Sequence, residues 1–179
     1  MWKIFENFHY FSSLRSAPPS GYGSMEPMGI PSQLIMYFDG GCEPKNPGGV
    51  ATFGWCAMTI DNDIIAKNNG VVHPYGHPMS TNNVAEYTAL LKGLEYLRET
   101  KWSGELLVRG DSMLVIRAIE GRWRCKAPHL IPIYKMCMDI LRTFDRYAAE
   151  WIPRKDNSFC DELSSKAYKE SRKVKRRDS

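Results

Sequence analysis

Three apolar runs of strand length precede the first stretch with helical periodicity, and this order restricts the chain to folds that open with three consecutive strands. Leu34–Phe38 is a short apolar run that stops at Asp39-Gly40-Gly41, and Pro44 with Asn46-Pro47-Gly48-Gly49 gives the next stretch the composition of a turn-rich loop. Val50–Ile60 and Ile64–Val72 follow. They are joined by Asp61-Asn62-Asp63, which predicts a tight turn and antiparallel neighbours. Behind Pro74–Ser80, Thr81-Asn82-Asn83 offers an N-cap. Val84, Tyr87, Leu91, Leu94 and Leu97 then recur at three- and four-residue intervals, as in a long amphipathic helix. Glu105–Val108 reads as a fourth strand, Ser112–Ile119 as a short helix closed by Gly121, and Pro128–Phe144 as another helix. Tyr147–Ile152 reads as a fifth strand and Asn157–Tyr168 as a last helix. Three antiparallel strands followed by strand-helix alternation predict an α/β fold with a five-stranded mixed sheet and helices on its faces.

A chain of 179 residues, 43% hydrophobic and 25% charged, is long enough for one sizeable core and too short for two ordinary domains. Residues 1–33 lack a sustained period and carry SAPPSGYGSMEPMGIPS, so they read as a flexible leader to a body at 34–170. The leader sets Lys3 and Arg15 against Glu6 and Glu26, unlike an Arg-rich, acid-poor presequence, and it has no signal-peptide apolar core. Organellar targeting by it stays open, as does a start at Met25 or Met28. No apolar run approaches the roughly 20 residues of a membrane span, which predicts no membrane partner. The five cysteines are scattered and lack a CxxC pair, which suits a reducing, cytoplasmic setting better than a disulfide framework or a zinc site. Of the formal charge of +4, residues 161–179 contribute +3, from seven Lys/Arg against four Asp/Glu. The basic tail at 171–179 reads first as a solvated end, and secondarily as a source of salt-sensitive attraction to phosphates. A monomer is expected.

Four acids, Asp39, Glu86, Asp111 and Asp161, stand at strand ends or on helices able to face them. Each alone has a plain structural explanation. Asp39 begins a Gly-rich turn, Glu86 lies in a first helical turn, Asp111 can cap the helix after it, and Asp161 can pair with a nearby Lys. Together they pose a different problem, because unpaired carboxylates crowded at one sheet edge repel and raise one another's pKa, a cost that divalent cations remove. All-oxygen ligands without a His or Cys cluster suit Mg²⁺ or Mn²⁺ rather than zinc. Two such ions about 4 Å apart are suited to phosphoryl transfer.

MYFDGGCEPKNPGG, STNNVAEYTALLKGLEYL, LLVRGDSMLVIRAIEG and NSFCDELSSKA, in this order, make the chain resemble the type 1 ribonuclease H family, in its compact form without a basic protrusion. The resemblance covers Leu34 to about Glu170. It implies the ribonuclease H-like fold and cleavage of the RNA strand of RNA/DNA hybrids to 5′-phosphate and 3′-hydroxyl ends. It also implies two Mg²⁺ or Mn²⁺ ions on Asp39, Glu86, Asp111 and Asp161, with Asp39 shared. The backbones of Gly40, Gly41 and Cys42 and the amides of Asn46, Asn82 and Asn83 stand where the family contacts the hybrid, whose RNA is told from DNA by the 2′-hydroxyl. Thr81 stands where a DNA-strand phosphate is met, and Arg154 and Asn157 are added as substrate contacts. Asn46 and Asn82 are also natural turn and cap residues, without any nucleic acid.

The chain departs from the family's pattern at three places. Met113 replaces a Gln that many bacterial members carry two residues after the third acid, so a base-edge donor is missing there. Gly121-Arg122-Trp123-Arg124-Cys125-Lys126 is short where other members have a Lys-rich handle. No His precedes the last helix; Arg154 or Lys155 stands there, and an Arg acts by charge rather than by proton relay. His9, His73, His77 and His129 have no catalytic-spacing partner and read as surface residues. Trp123 is able to stack on nucleic acid, whereas Trp151 ends an apolar strand and is expected in the core. A non-catalytic hybrid-binding module on the same fold is the alternative reading. Transposase-like and repair nucleases with this core need added DNA-binding domains, and a piece of a larger reverse-transcription machine is a further possibility.

Overall fold

The computed structural model describes residues 31–175, so the readings of residues 1–30 as leader, targeting signal or alternative start lie outside the described residues. Five strands, β1 (Gln33–Glu43), β2 (Val50–Met58), β3 (Ile64–His73), β4 (Glu105–Gly110) and β5 (Arg146–Trp151), form one sheet in the order β3-β2-β1-β4-β5. Among the described residues four α-helices accompany them: α1 (Asn82–Glu99), α2 (Met113–Ile119), α3 (Ile131–Leu141) and α4 (Ser158–Lys175), the last preceded by a 3₁₀ turn at Arg154–Asn157. The order of elements is the one expected. β1 is antiparallel to β2 and parallel to β4, which is parallel to β5.

Several boundaries shift for physical reasons. The first strand does not stop at Phe38. It runs five residues further because β2 keeps pairing with it as far as Glu43↔Val50, so Asp39 lies inside a strand rather than at the start of a turn. The Pro-containing stretch before α3 leaves that helix only Ile131–Leu141 of the expected 128–144. α4 continues past Tyr168 to Lys175, in a segment whose charged residues are good helix formers.

The side chains of β2 show how the layers are built, since neighbouring strand residues point to opposite faces. Trp55 packs at 5.3 Å, ring to ring, on Tyr96 of α1. Gly54 faces α4 so closely that a Cβ there would lie 2.7 Å from the Cys160 carbonyl oxygen and from Leu163 Cβ. Thus α1 covers one face of the sheet and α4 the other. The first face holds the main core, with Met36, Phe38, Tyr87, Leu90 and Leu94 fully buried; each such side chain contributes on the order of 1.5–3 kcal/mol. Among the described residues no helix is long and apolar enough to cross a membrane.

Candidate active site

The parallel ladder between β1 and β4 stops at Tyr37↔Arg109, while β1 runs on beside β2 alone. One side of β1 is therefore open from Asp39 onward, and Asp111 directly follows the last residue of β4. This places two acids at the same edge of the sheet. α1 delivers Glu86 to the same spot because Gly40 lets the helix approach. A Cβ on Gly40 would sit 2.2 Å from the Glu86 backbone nitrogen, so no other residue fits without moving the helix. The Asn82 amide donates to Glu86 Oε1 at 3.5 Å, and the nearby Gly40 backbone favours the charged carboxylate. Glu86 lies one residue beyond the first turn of α1, not within it; that turn contains no acid and is capped by Thr81, whose hydroxyl oxygen accepts the Val84 N–H at 3.2 Å.

α4 contributes from the opposite face. Ser164 donates its hydroxyl to Asp39 Oδ2 at 2.6 Å, and Asp161, one helical turn earlier, is half-buried beside it. Asp161 forms an ion pair with Arg154, an arginine of the 3₁₀ turn rather than a lysine. Asp111 does not cap α2; Ser112 stands at the cap position, and Asp111 Oδ1 instead accepts from Asn157 Nδ2 at 2.7 Å.

The acids divide by environment. Asp39 and Glu86 are 6% and 5% exposed. Burial pushes Asp39 up to about 6, with Asp111 and Asp161 adding to the rise and the Ser164 hydroxyl and Arg154 opposing it. Glu86 is held well above the usual carboxylate range by burial first, then by the nearby charges of Asp39 and Asp111. Its Oε2 is buried without a hydrogen-bond partner. Mutual repulsion thus runs through the cluster, and Arg154 is the cation that partly offsets it.

An uncompensated pair of buried carboxylates with one orphaned oxygen, next to two further acids, fits hard divalent cations by donor type and by charge. In the arrangement seen, no three His, Cys, Asp or Glu side chains among the described residues converge at ligand spacing. Asp161 is turned onto Arg154 and Asp39 onto Ser164.

Of the residues expected to meet substrate, Asn46 and Asn83 are exposed, Gly41, Thr81 and Asn82 are half-buried, and Gly40 and Cys42 are buried, the Cys42 thiol turned to the Lys45 and Ser80 carbonyls. Asn46 Oδ1 accepts the Asn82 N–H at 3.1 Å, so the first hairpin and the start of α1 are tied together. Asn157 corrects an expectation. It is 2% exposed, and its amide nitrogen donates to both the Phe38 carbonyl and Asp111, so it positions the acid instead of touching substrate. Trp151 corrects another. It pairs with Gly110, the last residue of β4, and stands at the open end of the sheet, 41% exposed, donating its indole N–H to the Asp111 carbonyl at 3.0 Å. Sequence reasoning missed Ser164, although its place three residues after Asp161 on a helix puts it on the same face. His73 and His77 stack on each other at 4.0 Å, away from the acids' hydrogen bonds.

The chain is similar to known proteins along nearly all of this body. Residues 38–167 match the family model described as reverse transcriptase-like. A bifunctional protein of Mycobacterium tuberculosis is 32% identical over 136 residues, 75% of this chain, and the chain spans about a third (35%) of that protein's length. The N-terminal RNase H domain of a Mycobacterium tuberculosis protein, solved as a fusion with maltose-binding protein, is 31% identical with a TM-score of 0.71, covering 79% of this chain and 97% of that one. RNase H1 from the halophilic archaeon Halobacterium salinarum is 29% identical with a TM-score of 0.68, over 77% and 98%. LC11-RNase H1, solved in complex with an RNA/DNA hybrid, is 27% identical with a TM-score of 0.69, over 77% and 98%. By the family model over residues 38–167 and the likeness to the tuberculosis RNase H domain, the chain belongs to the type 1 ribonuclease H family.

Proposed function

We propose that this chain is an endonuclease that hydrolyses the RNA strand of RNA/DNA hybrids, leaving 5′-phosphate and 3′-hydroxyl ends, with residues 34–170 as the catalytic unit. The observation that carries the proposal is the buried Asp39–Glu86 pair, whose charge has no full counterpart among the described residues, beside Asp111 and Asp161 at an open strand edge. Asp39, Glu86, Asp111 and Asp161 would hold two Mg²⁺ or Mn²⁺ ions. When bound, such ions activate a water and stabilise the leaving oxygen of a phosphodiester.

The remaining work falls to side chains of this chain. Ser164, Asn157 and Asn82 hold the carboxylates of Asp39, Asp111 and Glu86. Arg154, exposed and always charged, attracts the scissile phosphate and does not relay protons. Asn46 spends its oxygen on the Asn82 N–H and keeps its amide hydrogens for a 2′-hydroxyl, the group that distinguishes RNA. Gly41 and Cys42 present backbone groups to the same strand, with the Asn82 and Asn83 amides beside them. Thr81 accepts from Val84 and keeps its own O–H for a DNA-strand phosphate. Support for the substrate comes from LC11-RNase H1, a relative that was solved with an RNA/DNA hybrid.

End-labelled RNA/DNA hybrid, double-stranded RNA and double-stranded DNA, each with Mg²⁺ or Mn²⁺, test the reading beside an Asp39→Asn control. The expected result is a cut in the RNA of the hybrid alone, lost in the variant. The ion pair between Arg154 and Asp161 favours the alternative of a hybrid-binding module without catalysis, and binding without turnover by either metal would establish it.

A further inference from the structure

Beyond the acids, the first hairpin walls an open groove of about 450 Å³ lined by Pro44, Val50, Tyr75, Tyr168 and Arg172. One wall is the β1–β2 turn and the loop after β3; the other is the C-terminal half of α4. Each wall carries an aromatic ring with a cation over it. Lys45 Nζ lies 5.1 Å from the centre of the Tyr75 ring, which is 48% exposed, and the Arg172 guanidinium lies 5.8 Å from the Tyr168 ring. Backbone bonds from Gly48 to Ser80 (2.8 Å) and from Gly76 to Gly48 (2.9 Å) lock the hairpin to the loop, so the first wall is a single unit. The charge around the groove is positive on balance. Along α4, Lys166, Lys169, Arg172 and Lys173 stand against Glu170, which is paired with Lys166, and on the turn Lys45 stands against Glu43.

A basic groove with aromatic rings on both sides matches how proteins hold single-stranded nucleic acid, where bases stack on rings and cations follow the phosphates. Duplex fits it poorly, because paired bases have no free faces to offer opposed rings. The hairpin also indicates which strand. Gly41, Cys42 and Asn46, read above as RNA contacts, lie on the same hairpin, and Glu43 is about 13 Å along β1 from Asp39. That distance is about four stacked nucleotides at 3.4 Å each. A strand following the hairpin away from the acids is the RNA strand.

We propose that the groove between the β1–β2 turn, Tyr75 and the Tyr168–Arg172 face of α4 binds a single-stranded extension of the RNA strand beyond the hybrid. This rests on the hybrid-nuclease reading for the identity of the strand, while the groove's affinity for single strands does not depend on turnover. The site favours hybrids with an unpaired RNA tail over blunt ones.

Fluorescence anisotropy in EDTA, with a blunt hybrid, the same hybrid with a short RNA tail at either end, and the same hybrid with a DNA tail, measures the effect without cleavage. An RNA tail at one end is expected to tighten binding about tenfold. The Tyr168→Ala/Arg172→Ala double variant should lose that gain while binding blunt hybrid as before. Arg172→Glu, a change at an exposed side chain that leaves folding undisturbed, should lose it as well. Equal binding of tailed and blunt hybrids by the unaltered protein, equal benefit from RNA and DNA tails, or equal weakening of blunt and tailed binding in the variants would each overturn the proposal. Absence of cleavage of the blunt hybrid with metal present speaks against the nuclease reading, and the tail effect in EDTA is measured independently of it.

Discussion

The inner and outer carboxylates of the site are stabilised in different ways. Asp39 and Glu86 are buried and repel each other, with help from the Ser164 hydroxyl at Asp39, from the Asn82 amide at 3.5 Å and the Gly40 backbone at Glu86, and from a more distant arginine. Asp111 and Asp161 are half-buried, and each has a strong partner of its own, the Asn157 amide and the Arg154 guanidinium. The inner pair therefore stores electrostatic strain that the fold does not relieve, while the outer pair is held in reserve by groups that must be kept or displaced. Strain at the inner pair and restraint at the outer pair predict different responses to substitution, pH and metal.

The largest effect is expected at the inner pair. Asp39→Asn and Glu86→Gln should each reduce hybrid cleavage by about a thousandfold or more, because each removes a charged ligand from a site whose parts act as a unit. The same changes should raise the thermal stability of the metal-free protein near neutral pH, since they remove the buried charge and keep the shape. Cleavage assays and thermal melts on the same samples test this. A variant that loses stability along with activity would show the pair to be a structural element rather than a strained site.

Titration should expose the strain at the inner pair next. Asp39 moves from 3.8 unfolded to about 6 folded, so the folded protein binds its proton more tightly. Its contribution to stability is full below about pH 4 and falls as the pH rises to about 6, by roughly 3 kcal/mol in total for a shift of this size. Glu86 shifts in the same direction. In EDTA, then, melting temperature should drop between pH 4 and 7 by an amount that Asp39→Asn reduces. Mg²⁺ should raise melting more at pH 7 than at pH 5. Equal Mg²⁺ stabilisation at both pH values would break the comparison.

The four acids were legible in the sequence because each sits beside a local signal: a Gly pair, the TNN-x-AE cap, a strand-ending Gly-Asp, and the first turn of a helix. The order of strands and helices was legible for the same reason, since period and punctuation are local. What holds the acids was less so. Asn157 reads as a helix start, and only the packing of the 3₁₀ turn under β1 shows that it is buried against Phe38 and Asp111. Trp151 reads as the end of a buried strand, yet it lies level with the last residue of β4, where cover runs out. Asp39 reads as a turn residue because the stop of β4, not of β1, makes the edge. Each of these depends on where a distant element ends, which no local pattern records.

A smaller effect is expected from the amide that restrains Asp111. Asn157→Ala leaves the Phe38 carbonyl and Asp111 without their donor inside the fold, a loss of about 1–3 kcal/mol. Cleavage should fall about tenfold through misplacement of Asp111. Asn157→Asp should be worse on both counts, because both neighbours are acceptors and a second carboxylate would face them. An Asn157→Asp protein as stable and active as the unaltered one would show that Asp111 needs no restraint.

Arg154 gives the smallest expected effect, and the one that divides restraint from strain most directly. It relieves repulsion among the acids, and it also occupies Asp161. Arg154→Ala should therefore act in two opposite ways. Freed of its partner, Asp161 becomes available, so half-saturation by Mg²⁺ should occur at lower concentration. Loss of the exposed cation removes attraction for the scissile phosphate, so KM for the hybrid should rise, by a factor of about ten or less at an exposed position. Arg154→Lys should recover most of the phosphate attraction with a weaker hold on Asp161. Metal titrations and KM measured across the three proteins follow both quantities. If Mg²⁺ binds more weakly in Arg154→Ala than in the unaltered protein, the ion pair organises Asp161 for the metal rather than withholding it, and the outer pair must be counted with the inner one.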